Sequence, residues 1–283
     1  MTPCRSSSRA AGAYEAPGGR RIVLAADLLA CVNNTQCYEP EALAGIRDRV
    51  LAQPVACAAT IFEVANETTL QGSARLAVSG GACRIGVLNF ASARNPGGGF
   101  LAGAQAQEES LARSSGLYHS LLKCQSYYHY HRVHRSGLYS DRMIYSPRCP
   151  VFRRDDGVLL EQPYFVDFIT APAPNAGAVR QNQPSLAAQI AGVLRERAAK
   201  LLGLAAHHRC DVLVLGAWGC GVFRNDPDMV AGIFRELLGP DGRYWGRFQK
   251  VAFAVLDTAR SQGTYQAFLE RFAARCGVDG SPM

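Results

Sequence analysis

Two adjacent glutamates, Glu108 and Glu109, follow three consecutive glycines, Gly97, Gly98 and Gly99, in the stretch NFASARNPGGGFLAGAQAQEESLARSSGLY, which runs from Asn89 to Tyr118. Carboxyl groups are proton donors and acceptors for bond cleavage. A glycine triplet lets a backbone approach a ligand closely, because no Cβ intervenes and φ is free. A hydrophobic strand, Arg84 to Phe90, enters the stretch, and a segment with helical spacing leaves it. An isolated Glu-Glu pair usually marks only the charged first turn of a helix. Behind a glycine triplet it reads as a site.

A second loop has the same logic. Val212-Leu213-Val214-Leu215 runs into Gly216, Gly219 and Gly221, and then into Asn225-Asp226-Pro227, a capping side chain with Pro at the first helical position. In α/β folds ligands sit at the carboxyl ends of strands. A glycine turn before a helix N-terminus offers unpaired N–H groups and a positive dipole end to an anion. The loop lacks the Gly-Lys-Ser/Thr ending of a nucleotide triphosphatase and the spacing of a dinucleotide fingerprint. The alternative is a tight strand–helix turn with no ligand.

Gly97-Gly98-Gly99, then seven residues, then Gln107-Glu108-Glu109, together with Leu215-Gly216-Ala217-Trp218-Gly219-Cys220-Gly221-Val222-Phe223, resembles the poly(ADP-ribose) glycohydrolases, and most of all the compact bacterial type built on a macrodomain. The similarity covers roughly residues 20 to 275. It implies a macrodomain-like three-layer α/β/α sandwich with a mixed sheet. It also implies that Gly219, Cys220, Gly221, Val222 and Phe223 wrap the diphosphate of ADP-ribose, with Phe223 against the terminal ribose. Asn95 would meet that ribose's hydroxyls, Gly97 to Gly99 would line the site, and Gln107 would support the catalytic loop. Glu109 matches the catalytic glutamate and Glu108 the neighbour that orients the sugar. Exo-action releasing ADP-ribose is expected, with no metal or redox cofactor. The expected partners are poly(ADP-ribose), ADP-ribose and ADP-ribosylated proteins, and the expected setting is the DNA damage response.

The bond to be cut limits what two neighbouring glutamates can do. Glycosidases usually place two carboxyl groups on opposite sides of the scissile bond. Successive side chains on a helix diverge, so one residue acting twice fits better. Glu109 would protonate the leaving hydroxyl and then, as carboxylate, accept a proton from the attacking water. A helix N-terminus lowers its pKa, whereas burial under substrate and repulsion from Glu108 raise it; the raising terms are expected to win in the complex. Two other readings stand beside this one: an ADP-ribose reader without catalysis, and a hydrolase of mono-ADP-ribosylated substrates.

The 283 residues carry a formal charge of +7, which suits a polyanionic partner as well as an ordinary basic enzyme. Almost half are hydrophobic, enough for a substantial core. The ten cysteines form no C-x-x-C and no zinc spacing, and no run of residues is apolar enough for a signal peptide or a membrane span. A monomer with reduced thiols in the cytoplasm is expected. The stretch SYYHYHRVHR reads as a solvated aromatic-basic surface that could meet the polymer through Arg132 and Arg135. His207-His208 reads as a helix C-terminal pair favouring the dipole, and Cys220 as a small residue without a base to make it a nucleophile.

Residues 1–19 read as a disordered tail and 20–283 as one catalytic domain, in which 20–80 form a helical layer packed on the sheet. Helices are predicted over Arg20–Asn34, Pro40–Leu51, Thr68–Val78, Glu108–Cys124, Pro184–His207 and Thr264–Cys276, with another from Pro227 to near Gly239. Strands are predicted over Arg84–Phe90, Arg142–Ser146, Pro150–Arg154, Tyr164–Thr170, Asp211–Leu215 and Val251–Leu256, and Val55–Val64 is β-rich. Alternation of strands and helices gives the α/β class.

Overall fold

The computed structural model describes residues 12–55, 57–79 and 83–272. Nine strands and ten α-helices are seen among them. The strands are β1 (Ala13–Glu15), β2 (Arg21–Val23), β3 (Gln36–Tyr38), β4 (Ile61–Ala65), β5 (Ile85–Phe90), β6 (Met143–Arg153), β7 (Leu159–Ala171), β8 (Val212–Leu215) and β9 (Lys250–Ala254). The helices are α1 (Ala25–Asn34), α2 (Pro40–Leu51), α3 (Thr69–Ser79), α4 (Gln107–Ser114), α5 (Leu117–Lys123), α6 (Gln125–Val133), α7 (Ala176–Asn182), α8 (Ile190–His207), α9 (Pro227–Leu238) and α10 (Gly263–Phe272).

Seven strands form one mixed sheet in the order β3-β6-β7-β5-β8-β9-β4. Neighbouring strands from β7 to β4 are parallel, and β6 and β3 complete one edge with antiparallel pairings. Because successive strand residues face opposite sides, each central strand feeds two cores. Leu213 and Leu215 of β8 and Val251 and Phe253 of β9 pack with α2, α8, α9 and α10. Val212, Val214, Ala252 and Ala254 pack on the other side with α3, α4, α5 and α6. This is the expected three-layer arrangement, and the apolar runs of β5, β8 and β9 follow from burial on both faces.

Several elements differ from the sequence reading. Residues 12–19, assigned to a disordered tail, pair as the β1–β2 hairpin and its turn, with Tyr14 buried and donating its hydroxyl to the Leu160 carbonyl; residues 1–11 lie outside the described residues. The segment 20–80 is not only a helical layer, since it supplies both edge strands, β3 and β4. Glu108–Cys124 is two helices, because Ser115 bridges to Val151 and Gly116 donates to the Pro150 carbonyl. The two strands read over 142–154 are the single bulged β6, joined to β7 through Asp155-Asp156-Gly157. The helix predicted from Pro184 begins as a 3₁₀ turn over Pro184–Gln189. Far earlier in the chain, α3 carries a reciprocal cap: Thr68 Oγ1 accepts from the Gln71 amide, and Gln71 Oε1 from the Thr68 amide. The last predicted helix is seen to Phe272, and residues 273–276 lie outside the described residues.

No helix among the described residues is long and apolar enough to cross a membrane. The expectation that all thiols are reduced meets one exception. Cys37, on edge strand β3, is disulfide-bonded to Cys124, between α5 and α6. Scattered sequence positions gave no hint of it, because the two cysteines lie 87 residues apart and meet only in the fold. Closing so long a loop removes entropy from the unfolded chain. Cys37→Ser should therefore lower the unfolding free energy by roughly 2–4 kcal/mol in denaturant titrations without reductant, and the gap should close when dithiothreitol is added.

Candidate active site

β5 and β8 are parallel neighbours, so the loops that leave their carboxyl ends lie side by side. After β5 the chain turns through Gly97 and Gly98, both in the left-handed region with φ of 69° and 60°. A Cβ on Gly98 would stand 2.2 Å from Glu109 Oε1 and 3.4 Å from Glu108 Oε2. The glycine is therefore required twice, by backbone conformation and by the two carboxyl groups packed against it. The chain then returns to α4, whose first residue, Gln107, grips the end of β5. Its Nε2 donates to the Leu88 carbonyl at 2.7 Å and its Oε1 accepts from the Phe90 amide at 2.9 Å.

The two glutamates face different surroundings. Glu108 is buried, accepting from the Ser92 amide at 2.6 Å and from Asn89 Nδ2 at 3.2 Å. Burial, reinforced by the charge of Glu109, pushes its carboxyl up to about 8 against the pull of these donors. At neutral pH Glu108 is therefore mostly protonated. Glu109 is half-buried, with Oε1 accepting from the Gly99 amide at 2.9 Å. Asn95 is exposed on the same loop, whose start is tied by Ser92 Oγ to the amides of Arg94 and Asn95.

Beside this, the β8 loop is braced by buried side chains and leaves several backbone amides unpaired among the described residues. Trp218 is fully buried and donates Nε1 to the Ala171 carbonyl. Gly219, at φ 73°, presses against Ala173, where a Cβ would come within 2.5 Å. Asn225 Nδ2 bridges the carbonyls of Pro174 and Gly219. Among the described residues, the amides of Gly219, Gly221, Val222 and Phe223 find no protein acceptor. Gly221 and Val222 are exposed, and Phe223 is half-buried with its ring 5.9 Å from that of Tyr139. The loop runs into α9, whose N-cap Asp226 accepts from the Asp228 amide. Four amides without a protein acceptor, just before a helix N-terminus, are groups of the kind that receive an anion. Burial and Asp226 push the Cys220 thiol up to about 12, which removes it as a nucleophile.

A family model of the microbial-type PARG catalytic domain matches residues 6–154. The chain is also similar to the crystal structure of poly(ADP-ribose) glycohydrolase from Thermomonospora curvata, with 49% identity over 92% of this chain and 94% of that one, at a TM-score of 0.88. A structure of the enzyme from that organism bound to the inhibitor ADP-HPD gives 0.85 at the same identity and coverage. The glycohydrolase of Deinococcus radiodurans in complex with ADP-ribose is 49% identical over 88% of this chain and 98% of its own, with a TM-score of 0.82. The chain belongs to the microbial poly(ADP-ribose) glycohydrolase family. No curated protein matches it.

In this glycohydrolase-family chain, the residues assigned from the sequence to catalysis and ADP-ribose, Asn95, Gly97 to Gly99, Gln107 to Glu109 and Gly219 to Phe223, fall on the two adjacent loops or at the start of α4. Three supporting residues went unread. Asn89 and Ser92 hold Glu108, and Asn225, noticed only as a helix start, ties the anion loop to Pro174. The stretch SYYHYHRVHR is the expected exposed surface only in part: Ser126, His129, Arg132, Val133, His134 and Arg135 are exposed, but one face is not. Tyr127, Tyr128 and His131 are buried, and Arg132 Nη1 braces the glycine loop through the Arg94 carbonyl. Nor does His208 serve a helix dipole as a cation. It stacks on Tyr145 with ring centroids 3.5 Å apart, and burial holds it near 4 and thus neutral. No group of three or more His, Cys, Asp or Glu side chains among the described residues could hold a metal ion.

Two outcomes are expected. Gly98→Ala should abolish turnover while leaving the fold intact by circular dichroism, because its Cβ takes the space of the Glu109 carboxyl. For Glu108, the raised folded-state pKa makes its contribution most favourable at low pH. As pH rises from ~4.5 to ~8 the unfolded chain gives up the proton that the folded chain keeps, so stability is lost. Glu108→Gln should match the wild type near pH 4.5 and exceed it at pH 8 by up to ~4 kcal/mol in pH-dependent denaturation.

Proposed function

We propose that this chain hydrolyses the ribose–ribose O-glycosidic bonds of poly(ADP-ribose), releasing ADP-ribose from the free terminus, with Glu109 as general acid and then base. The observation that carries this reading is the unequal placement of the two glutamates. Glu108 is enclosed and bonded to Ser92 and Asn89. Glu109 lies at the glycine loop with one oxygen fixed by the Gly99 amide. Only the second can meet a substrate whose diphosphate lies on the amides of Gly219, Gly221, Val222 and Phe223; the Cys220 amide is held by the Ala217 carbonyl.

The steps follow from that placement. Glu109, protonated, gives its proton to the leaving ribose oxygen as the glycosidic bond breaks through an oxocarbenium-like state. As carboxylate it then takes a proton from the water that attacks the anomeric carbon, which returns it to its starting form. Because Glu108 is uncharged, the repulsion expected from it is absent and the Glu109 carboxylate can form beside it. Asn95, Gly97 to Gly99 and Phe223 are assigned to the terminal ribose, and Gly219, Cys220, Gly221 and Val222 to the diphosphate. The partners we assign are poly(ADP-ribose), its product and ADP-ribosylated proteins, with the chain acting as a monomer in the cytoplasm. The support is the agreement of the site's chemistry with the family, whose Deinococcus radiodurans member has been solved with ADP-ribose.

Glu109→Gln should reduce ADP-ribose release from purified polymer by about 10²–10⁴-fold while calorimetric ADP-ribose affinity stays within a few-fold of the wild type. Tight ADP-ribose binding by a wild type that releases nothing from polymer would favour the reader. Equal activity in both proteins would remove Glu109 from its role.

A further inference from the structure

A second pocket lies at the opposite end of the sheet from the glycine loops, where β5 and β8 begin. Its volume is about 290 Å³, and its lining includes Asp27 and Asn34 of α1, Gln36 of β3, Arg84, Arg148 of β6 and His208. None of these belongs to the candidate active site. Asp27 and Asn34 share one face of α1, two helical turns apart.

The polar groups around this pocket are held in place by a buried charge. Asp167, 2% exposed, forms an ion pair with Arg84, whose Nε lies 2.7 Å away, and accepts hydrogen bonds from the Arg148 amide at 2.7 Å and from the Tyr145 hydroxyl. Arg84 Nη1 donates to the His208 carbonyl at 2.9 Å, so its guanidinium is fixed on two sides, with Nη2 remaining. His208 lies flat on Tyr145, and its Nε2 bonds the Tyr38 hydroxyl at 2.8 Å. Arg148 occupies the left-handed region at φ 46°, within the register shift of β6 between Ser146 and Cys149. A non-glycine residue is strained there, and such bulges re-aim side chains. The Arg148 guanidinium is exposed, 5.2 Å from the Phe165 ring centroid, and forms no ion pair among the described residues; nor does Asp27.

Chemistry selects the ligand. The Arg148 guanidinium, which forms no ion pair among the described residues, and the remaining Nη2 of Arg84 suit a phosphate. Asp27 argues against a bare polyanion, but a carboxylate is the usual acceptor for ribose hydroxyls. The side-chain amides of Asn34 and Gln36 also line it, with Asn34 Nδ2 donating to the Ala30 carbonyl and Gln36 Oε1 accepting from the Tyr38 hydroxyl, which leaves the Asn34 oxygen and the Gln36 nitrogen. The volume is close to the lower end for ligand pockets, room for part of an ADP-ribose unit and not for all of it. We propose that this pocket binds a phosphorylated ribose, as a nucleoside monophosphate or as one such unit of a poly(ADP-ribose) chain. The polymer arm rests on the function proposed above, and the mononucleotide arm does not.

Equilibrium dialysis of the full chain with labelled AMP tests this. Arg148→Glu and Arg148→Gly should each bind one equivalent fewer than the wild type. The glycine variant guards against misfolding, since φ 46° suits glycine and its Tm should equal or exceed the wild type's. Asp27→Ala should weaken AMP at this site about tenfold and leave inorganic phosphate unaffected. Equal AMP stoichiometry in wild type and both Arg148 variants overturns the proposal. So does inorganic phosphate competing as well as AMP with no effect of Asp27→Ala, which would leave only an anion hole. With AMP binding established, a several-fold rise in KM on long polymer in Arg148→Gly, but not on the ADP-ribose dimer, assigns the polymer as the source. Equal KM values on both assign a free nucleotide. Failure of the glycohydrolase reading would appear separately, as a wild type that binds AMP but releases no ADP-ribose.

Discussion

The side-chain amide of Gln107 is the interaction on which the site depends. It occupies the backbone of β5 at Leu88 and Phe90, beyond the point where the β8 ladder ends at Val87. A third bond, from Nε2 to Thr69 Oγ1, ties the same amide to α3. Three partners on two elements leave the first turn of α4 little freedom. Since consecutive helical residues point about 100° apart, fixing Gln107 sends Glu108 inward under β5 and Glu109 toward the glycine loop. The division between a neutral buried carboxyl and an accessible one thus follows from a single amide and the geometry of a helix start.

The anion loop has its own foundation in a buried cation. Arg197 of α8 is fully buried, pairing with Asp141 and donating to the carbonyls of Pro172, Leu138 and Tyr139. Lys200 completes the cluster on the second oxygen of Asp141. Such a network is stable only because its hydrogen bonds are nearly all satisfied; removing one partner typically costs about 3–5 kcal/mol. It fixes the segment from Pro172 to Pro174, on which Gly219 and Asn225 rest. Tyr139, on the loop that Arg197 holds from beneath, stands against Phe223. The sheet places the two loops side by side, and Gln107 and Arg197 set their shapes.

Much of this could be read in advance, for reasons particular to each element. β5, β8 and β9 are near-continuous apolar runs, as strands buried on both faces must be. The α9 start was legible because Asp226 and Pro227 are a cap and a first-turn residue in direct succession. β3 was not legible: it is three residues long and mostly exposed, and it exists by pairing with β6. β6 looked like two strands because Pro147 and Arg148 interrupt its pattern, and the pairing with β7 carries it across the interruption. The tyrosine- and histidine-rich helix looked solvated because its side chains are polar, yet Tyr127, Tyr128 and His131 are buried, the two tyrosines in the same core as Leu111 of α4.

By itself, then, the sequence determined the chemistry: a glycine triplet, a Gln-Glu-Glu run, a second glycine loop and a capped helix to receive an anion. These depend on backbone conformation and hydrogen bonds within a few residues, so they are written locally. The tertiary structure alone decided which glutamate is buried and neutral, which cysteines pair, and that Asp27, Arg84 and Arg148 surround one pocket. Burial and electrostatic environment are set by groups far away in the chain, and no local pattern records which of them will arrive.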